Sequence, residues 1–275
     1  MTWLRAGPYT GPYTGHCRLA LPRGIVSTGQ TTQDGCLDDL DTLPWRSRFH
    51  VHRFTGYRVS TKLYKSSRVY DFFMKRIGYE RSINRFLATL NIDTHPAGRI
   101  LDAGCGTGLL GLHFLQRWPQ AQLHATDLEP NFLHTTLANA ALRGLPADRI
   151  LTSVSNISSP KQATALDGTS RTLADNSYNL ICLGAVVGYA EDTVLSLRQL
   201  MQLLAPGGIL INLEMSESLT GRFVSWRYQY QNIPLARIEQ VIREEGGEMT
   251  PTSLGLKHFP ACLTRNALVA RKPDC

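Results

Sequence analysis

The sequence predicts an α/β fold, doubly wound around a mostly parallel sheet, and three observations carry that prediction. From Arg99 onward, apolar strand-like runs alternate with stretches whose apolar residues recur at helical spacing. Between the first such strand and the first such helix lies a glycine-dense turn, Gly104-Cys105-Gly106-Thr107-Gly108. The second strand ends in an acid, Asp127.

The elements read in order. Residues 1–48 contain the tandem Gly7-Pro8-Tyr9-Thr10 and Gly11-Pro12-Tyr13-Thr14, followed by Gly- and Thr-rich sequence of little periodicity. Two copies of four residues are too few for a repeat array, so a disordered leader is expected. Asp34, Asp38, Asp39 and Asp41 weigh against an organelle-targeting segment, and translation from a misassigned upstream start would read the same way. Residues 49–95 form a basic, aromatic segment with helical spacing from Arg68 to Leu90. The core then runs from 96 to 275. Strands are expected near Gly98–Ala103, Gln122–Thr126, Arg149–Val154, Tyr178–Leu183 and Gly208–Glu214, with two more after a helix near Leu235–Glu245. Helices are expected up to Trp118, over Asn131–Leu142 and over Asp192–Leu204, and the polar excursion Ser158–Asp175 reads as a loop.

Composition bounds the function. At 275 residues and 43% apolar content, one sizeable α/β core fits with residues to spare. No apolar run approaches the length of a bilayer span and no secretory signal is evident, so a cytoplasmic protein is expected. The six cysteines are scattered with no Cys-x-x-Cys pair, which argues against a metal cluster or disulfide framework. The net charge of +7 is concentrated between His50 and Arg85, where nine basic residues face only Asp71 and Glu80. This stretch reads first as a solvated helix face with aromatics turned to the core, then as a peripheral contact with an anionic membrane. Nucleic-acid binding is the least favoured reading.

The turn is built for a nucleotide-like ligand. Glycines let the backbone turn sharply and a ligand lie against it, while the following helix points free N–H groups outward. Asp102, just before the turn, places a carboxylate where a pyrophosphate would be repelled, and a cationic ligand fits better. Gly106-Thr107-Gly108-Leu109-Leu110-Gly111 also satisfies the dinucleotide pattern Gly-x-Gly-x-x-Gly, but that pattern alone is weak.

From Asp102 through Gly108 the sequence resembles motif I of the class I S-adenosylmethionine (SAM) dependent methyltransferases. Leu123–Asp127 resembles the second strand of that family, Asn176–Leu183 its fourth, and Leu203-Leu204-Ala205-Pro206-Gly207-Gly208-Ile209-Leu210-Ile211 the turn into its fifth. Leu263–Lys272 resembles its antiparallel last strand. The resemblance implies a seven-stranded, Rossmann-like sheet with a helical N-terminal cap, and SAM as cofactor. It implies that Asp102, Gly104, Cys105, Gly106 and Gly108 cradle the cofactor. Asp127 would accept the ribose hydroxyls, Leu128 would pack on the adenine, and Asn156 would stand where relatives carry an acid for the adenine amino group.

Methyl transfer from a sulfonium runs largely on alignment, so no general base is required. Tyr189, Glu214 and His258 are the candidates for one. The residues after the fourth strand, Gly184-Ala185-Val186-Val187-Gly188-Tyr189, lack the Asn-Pro-Pro-Tyr of amino-group methylases and the carboxylate of a metal-dependent catechol enzyme. An apolar lining suits a small lipophilic or aromatic metabolite, such as a quinone, pigment or polyketide-like acceptor. Residues 215–234 lie where relatives place a lid, and Arg222, Trp226 and Tyr228 are its candidate substrate contacts. The alternatives are a protein or RNA methyltransferase docking through the basic N-terminal helices, and a non-catalytic SAM-binding partner subunit.

Overall fold

The computed structural model of the chain describes residues 78–92 and 98–274, so the expected leader and most of the expected basic cap lie outside the described residues. The strands are β1 (Arg99–Ala103), β2 (Gln122–Asp127), β3 (Ile150–Val154), β4 (Gln162–Ala165), β5 (Ser170–Thr172), β6 (Tyr178–Leu183), β7 (Leu204–Met215), β8 (Glu248–Thr250) and β9 (Arg265–Arg271). They form one sheet in the order β5-β4-β3-β2-β1-β6-β7-β9-β8. The helices are α1 (Tyr79–Thr89), α2 (Leu109–Arg117), α3 (Pro130–Leu142), α4 (Thr193–Leu203), α5 (Leu219–Arg227) and α6 (Leu235–Glu244).

The sheet has nine strands, not the seven that the resemblance implied. The two additional strands come from the excursion expected as a loop, which is an antiparallel hairpin of β4 and β5 laid on the edge of β3. An Asp-Gly turn closes it: Asp167 Oδ1 accepts the Thr169 N–H at 2.9 Å, and Gly168 supplies φ 91°. The buried Ala163 pins the hairpin to the core despite its polar surface. The other seven strands are parallel apart from β9, which runs antiparallel between β7 and β8 as expected.

Both faces of the sheet are covered, which is why its central strands read as almost continuous apolar runs. Alternation along β1 sends Ile100 to one apolar cluster, with α1, α2 and α3, and Leu101 and Ala103 to the other, with α4 and α6. The N-terminal α1 buries Tyr79, Ile83, Phe86 and Leu87 at helical spacing. It is tied to α2 by His113 Nδ1 and Asn84 Oδ1 at 2.9 Å. Strand order reverses between β1 and β6. Their carboxyl ends therefore open a crevice at the switch point, where α/β sheets bind ligands.

No described helix is long and apolar enough to cross a membrane.

Candidate functional site

The glycine turn sits at that crevice. Gly104, Gly106 and Gly108 all take positive φ, at 67°, 54° and 81°. Their reasons differ. A Cβ on Gly104 would fall 2.2 Å from Val186 Cγ2, and one on Gly108 would fall 2.8 Å from Thr136 Cγ2, so both are packed by protein. At Gly106 a Cβ would meet nothing within 4 Å and would point into open space in front of the turn.

Asp127, at the end of β2, organises the crevice. Its Oδ2 accepts the Gly106 N–H at 2.9 Å and its Oδ1 accepts the Glu129 N–H at 3.0 Å. A carboxylate has about four acceptor positions, so acceptor capacity remains for a ligand hydroxyl. Burial pushes its carboxyl up to about 6, with the Gly106 and Glu129 amides opposing and the Glu129 charge adding. Next to it Leu128 is 51% exposed, a large apolar side chain left uncovered beside the acid. Asn156 is exposed and spends one lone pair of Oδ1 on the Ser158 N–H at 2.9 Å.

Asp102 lies beneath the turn rather than at its surface. It is 1% exposed, and its Oδ2 accepts the Gly111 N–H at 2.8 Å, which ties the first turn of α2 to β1. Burial raises it to about 7, with the Gly111 bond opposing and the Asp127 charge adding. Cys105 is buried, its N–H on the Thr126 carbonyl at 2.8 Å, and burial raises its thiol well above the ordinary range. It therefore serves the turn as a packed backbone residue and not as a thiolate.

Across the crevice, residues 184–190 lead from β6 into a 3-10 turn at Val187–Tyr189. Glu214, fully buried near the end of β7, accepts the Tyr230 hydroxyl proton and the Met215 N–H, the latter at 2.9 Å. Burial raises its carboxyl above the ordinary range, with the Tyr230 bond opposing. Tyr189 packs edge-on to Tyr230 at 4.9 Å between centroids, and its hydroxyl donates to the Tyr228 carbonyl at 3.3 Å. Of the three base candidates, Tyr189 and Glu214 are thus brought together through Tyr230. His258 is elsewhere: its ring lies edge-on to Phe86 of α1, and Nδ1 accepts the Gly255 N–H at 3.1 Å. It is buried in a structural contact.

The expected lid contains α5. Arg222 and Trp226 lie on its exposed face, Trp226 at 73% exposure, while Tyr228 is half-buried. No local pattern singles out Tyr230 or Gly188, whose N–H donates to the Tyr230 hydroxyl at 3.0 Å. Their pairing spans 42 residues.

Residues 101–210 match a family described as a methyltransferase domain. The chain is 31% identical over 124 residues to the biotin biosynthesis bifunctional protein BioCD of Bordetella avium, covering 45% of this chain and 23% of that protein. It is 28% identical over 181 residues to the ubiquinone/menaquinone biosynthesis C-methyltransferase UbiE of Syntrophotalea carbinolica, covering 64% and 68%. The chain spans well under half the length of the first curated relatives it matches. In fold it is similar to geranyl diphosphate C-methyltransferase of Streptomyces coelicolor, with a TM-score of 0.55 and 10% identity over 72% of this chain and 80% of the other.

The strand order and the glycine turn give a Rossmann-like fold, and the segment that carries the turn is similar to a methyltransferase domain. Over residues 101–210 the chain is similar to methyltransferase domains, and the residues at the turn fit SAM. Gly106 faces open space, Asp127 keeps acceptor capacity beside it, and Leu128 offers an uncovered apolar surface for a planar base.

Proposed function

We propose that the chain transfers a methyl group from SAM to a small lipophilic or aromatic acceptor of quinone, pigment or polyketide-like type. The observation that carries this reading is the wall opposite the cofactor turn. Its partly exposed residues are Val186 and Tyr189, backed by the buried Ala185, Val187 and Tyr230, and the Glu214 carboxylate is fully buried against the Tyr230 hydroxyl. Such a wall accepts apolar surface. The C-methyltransferase names of the quinone-pathway relative and of the geranyl diphosphate enzyme point the same way.

SAM supplies an activated methyl on a positively charged sulfur. The chain's own work would be alignment: Asp127 would hold the ribose end, the turn and Leu128 would fix the adenosine, and the apolar wall would keep water from the reacting atoms. Such positioning is worth about 7–11 kcal/mol of barrier. No residue is assigned as base, and the acceptor's proton passes to solvent when the product leaves. We place the protein in the cytoplasm, in peripheral contact with anionic membrane, where a lipophilic acceptor would be met.

The test is incubation with methyl-labelled SAM and a host-cell extract, followed by counting of the lipid, small polar, protein and nucleic-acid fractions. Label in the organic phase supports the reading. Label in protein or RNA overturns it in favour of docking through the basic segment. Binding of SAM without label in any fraction points to a partner subunit.

A further inference from the structure

We infer that Tyr230, oriented by Glu214, is a positioning residue that holds the loop 184–190 against the cofactor turn; this rests on the methyltransferase reading above. The loop is strained where it starts. Ala185 has φ 54°, a left-handed conformation that a side-chain-bearing residue adopts only when its surroundings enforce it. Those surroundings are Met215 and Tyr230, with which Ala185 forms one small buried cluster.

Tyr230 grips the same loop a second time. Its hydroxyl accepts the Gly188 N–H at 3.0 Å, and the Gln231 N–H donates to the Gly188 carbonyl at 3.2 Å. A Cβ on Gly188 would lie 2.3 Å from the Gln231 carbonyl oxygen and 2.5 Å from Tyr230 Cζ, so the approach tolerates only glycine. The phenol has one proton, and Glu214 takes it, which leaves the oxygen lone pairs facing Gly188. Glu214 cannot turn away, because the Met215 N–H at 2.9 Å and Asn212 Nδ2 at 3.3 Å hold it from its own strand.

The far side of the loop reaches the cofactor turn. Val186 fills the space that a Cβ on Gly104 would need. A continuous set of contacts therefore runs from β7 through Glu214, Tyr230 and the loop to Gly104. Removing the Tyr230 hydroxyl leaves the ring packed and the Gly188 carbonyl on Gln231 but releases the Gly188 amide, which loosens the seat of Val186 beside the turn.

The experiment measures SAM affinity by calorimetry for the wild type, Tyr230→Phe, Glu214→Gln and Ile238→Ala, the last a core variant in α6. Amide hydrogen exchange across 185–190 is followed in parallel. Tyr230→Phe is expected to bind SAM about tenfold more weakly and to exchange the Gly188 amide faster. Glu214→Gln, whose amide oxygen can still accept the phenol proton, should stay within about threefold of the wild type. Ile238→Ala should lose stability yet bind SAM normally. The inference fails if Tyr230→Phe binds SAM as the wild type does, or if Ile238→Ala weakens binding equally. Should Tyr230→Phe not fold, the wild type still decides: SAM must slow exchange at Ala185 and Gly188, and unchanged rates overturn the inference. A wild type that binds no SAM defeats the underlying reading itself, a result separable from the variant comparison.

Discussion

Both oxygens of Asp127 already hold backbone amides, so this one side chain shapes the turn and would also receive the ligand. Asp127→Ala should weaken SAM binding roughly ten- to a hundredfold, since charge-assisted bonds contribute about 1.5–3 kcal/mol. Isothermal titration checks this, and an unchanged affinity would remove Asp127 from the site. Gly106→Ala separates ligand space from fold. Its Cβ meets no protein atom, so SAM affinity should fall further than the left-handed strain, about 1–2 kcal/mol, lowers stability. Equal losses in titration and in thermal melts would argue that the open space is not the ligand's. The placement of such residues was legible in the sequence because it follows from local order: strand, glycines, helix, acid. Tyr230 and Gly188 were not, because a contact across 42 residues has no local signature. Asp102 was legible as an acid beneath the turn, but its bond to the Gly111 amide belongs to packing that only coordinates display.

The helices adjoining the acceptor side carry their own start signals. Asp192 caps α4 by accepting the Leu195 N–H at 3.0 Å, and Ser218 caps α5 by accepting the Gly221 N–H at 3.1 Å. Asp192→Ala should cost about 1 kcal/mol, read from urea midpoints, with SAM affinity unchanged. Ser218 also donates to the Leu263 carbonyl at 2.9 Å, so Ser218→Ala should cost more than Asp192→Ala; the reverse ranking would show that this second bond contributes nothing. Most elements were predictable because burial on both faces makes apolar runs, and Pro206-Gly207-Gly208 marks the bend within β7. The β4–β5 hairpin was not read, since its exposed Ser170, Arg171 and Thr172 carry no apolar alternation. Its signal was the dipeptide Asp167-Gly168, a hairpin turn former flanked by polar sequence.

At the scale of the molecule, acid–base linkage should report the site. Asp102 and Asp127 sit at about 7 and about 6, against 3.8 when unfolded. Between those values the folded chain holds protons that the unfolded chain releases, so these two groups make stability fall as pH rises through the window. Half-buried His113 and buried His124, both lowered to about 4, work oppositely: the unfolded chain takes up their protons as pH drops below 6.5. The unliganded pH profile is therefore a near-cancellation, and the informative quantity is the gain on adding SAM. A cationic ligand favours the ionised acids, so the SAM-induced rise in melting temperature should grow from pH 5 to pH 8. A constant rise would mean that neither acid responds to the ligand. The placement of β9 has a different consequence, for biosynthesis. Strand β7 is twelve residues long and mostly buried, and its partner on one side is made only after residues 216–264. At ~5–20 residues per second, a nascent chain would present that greasy, unpaired edge for roughly three to eleven seconds. That interval is when a chaperone has most to protect.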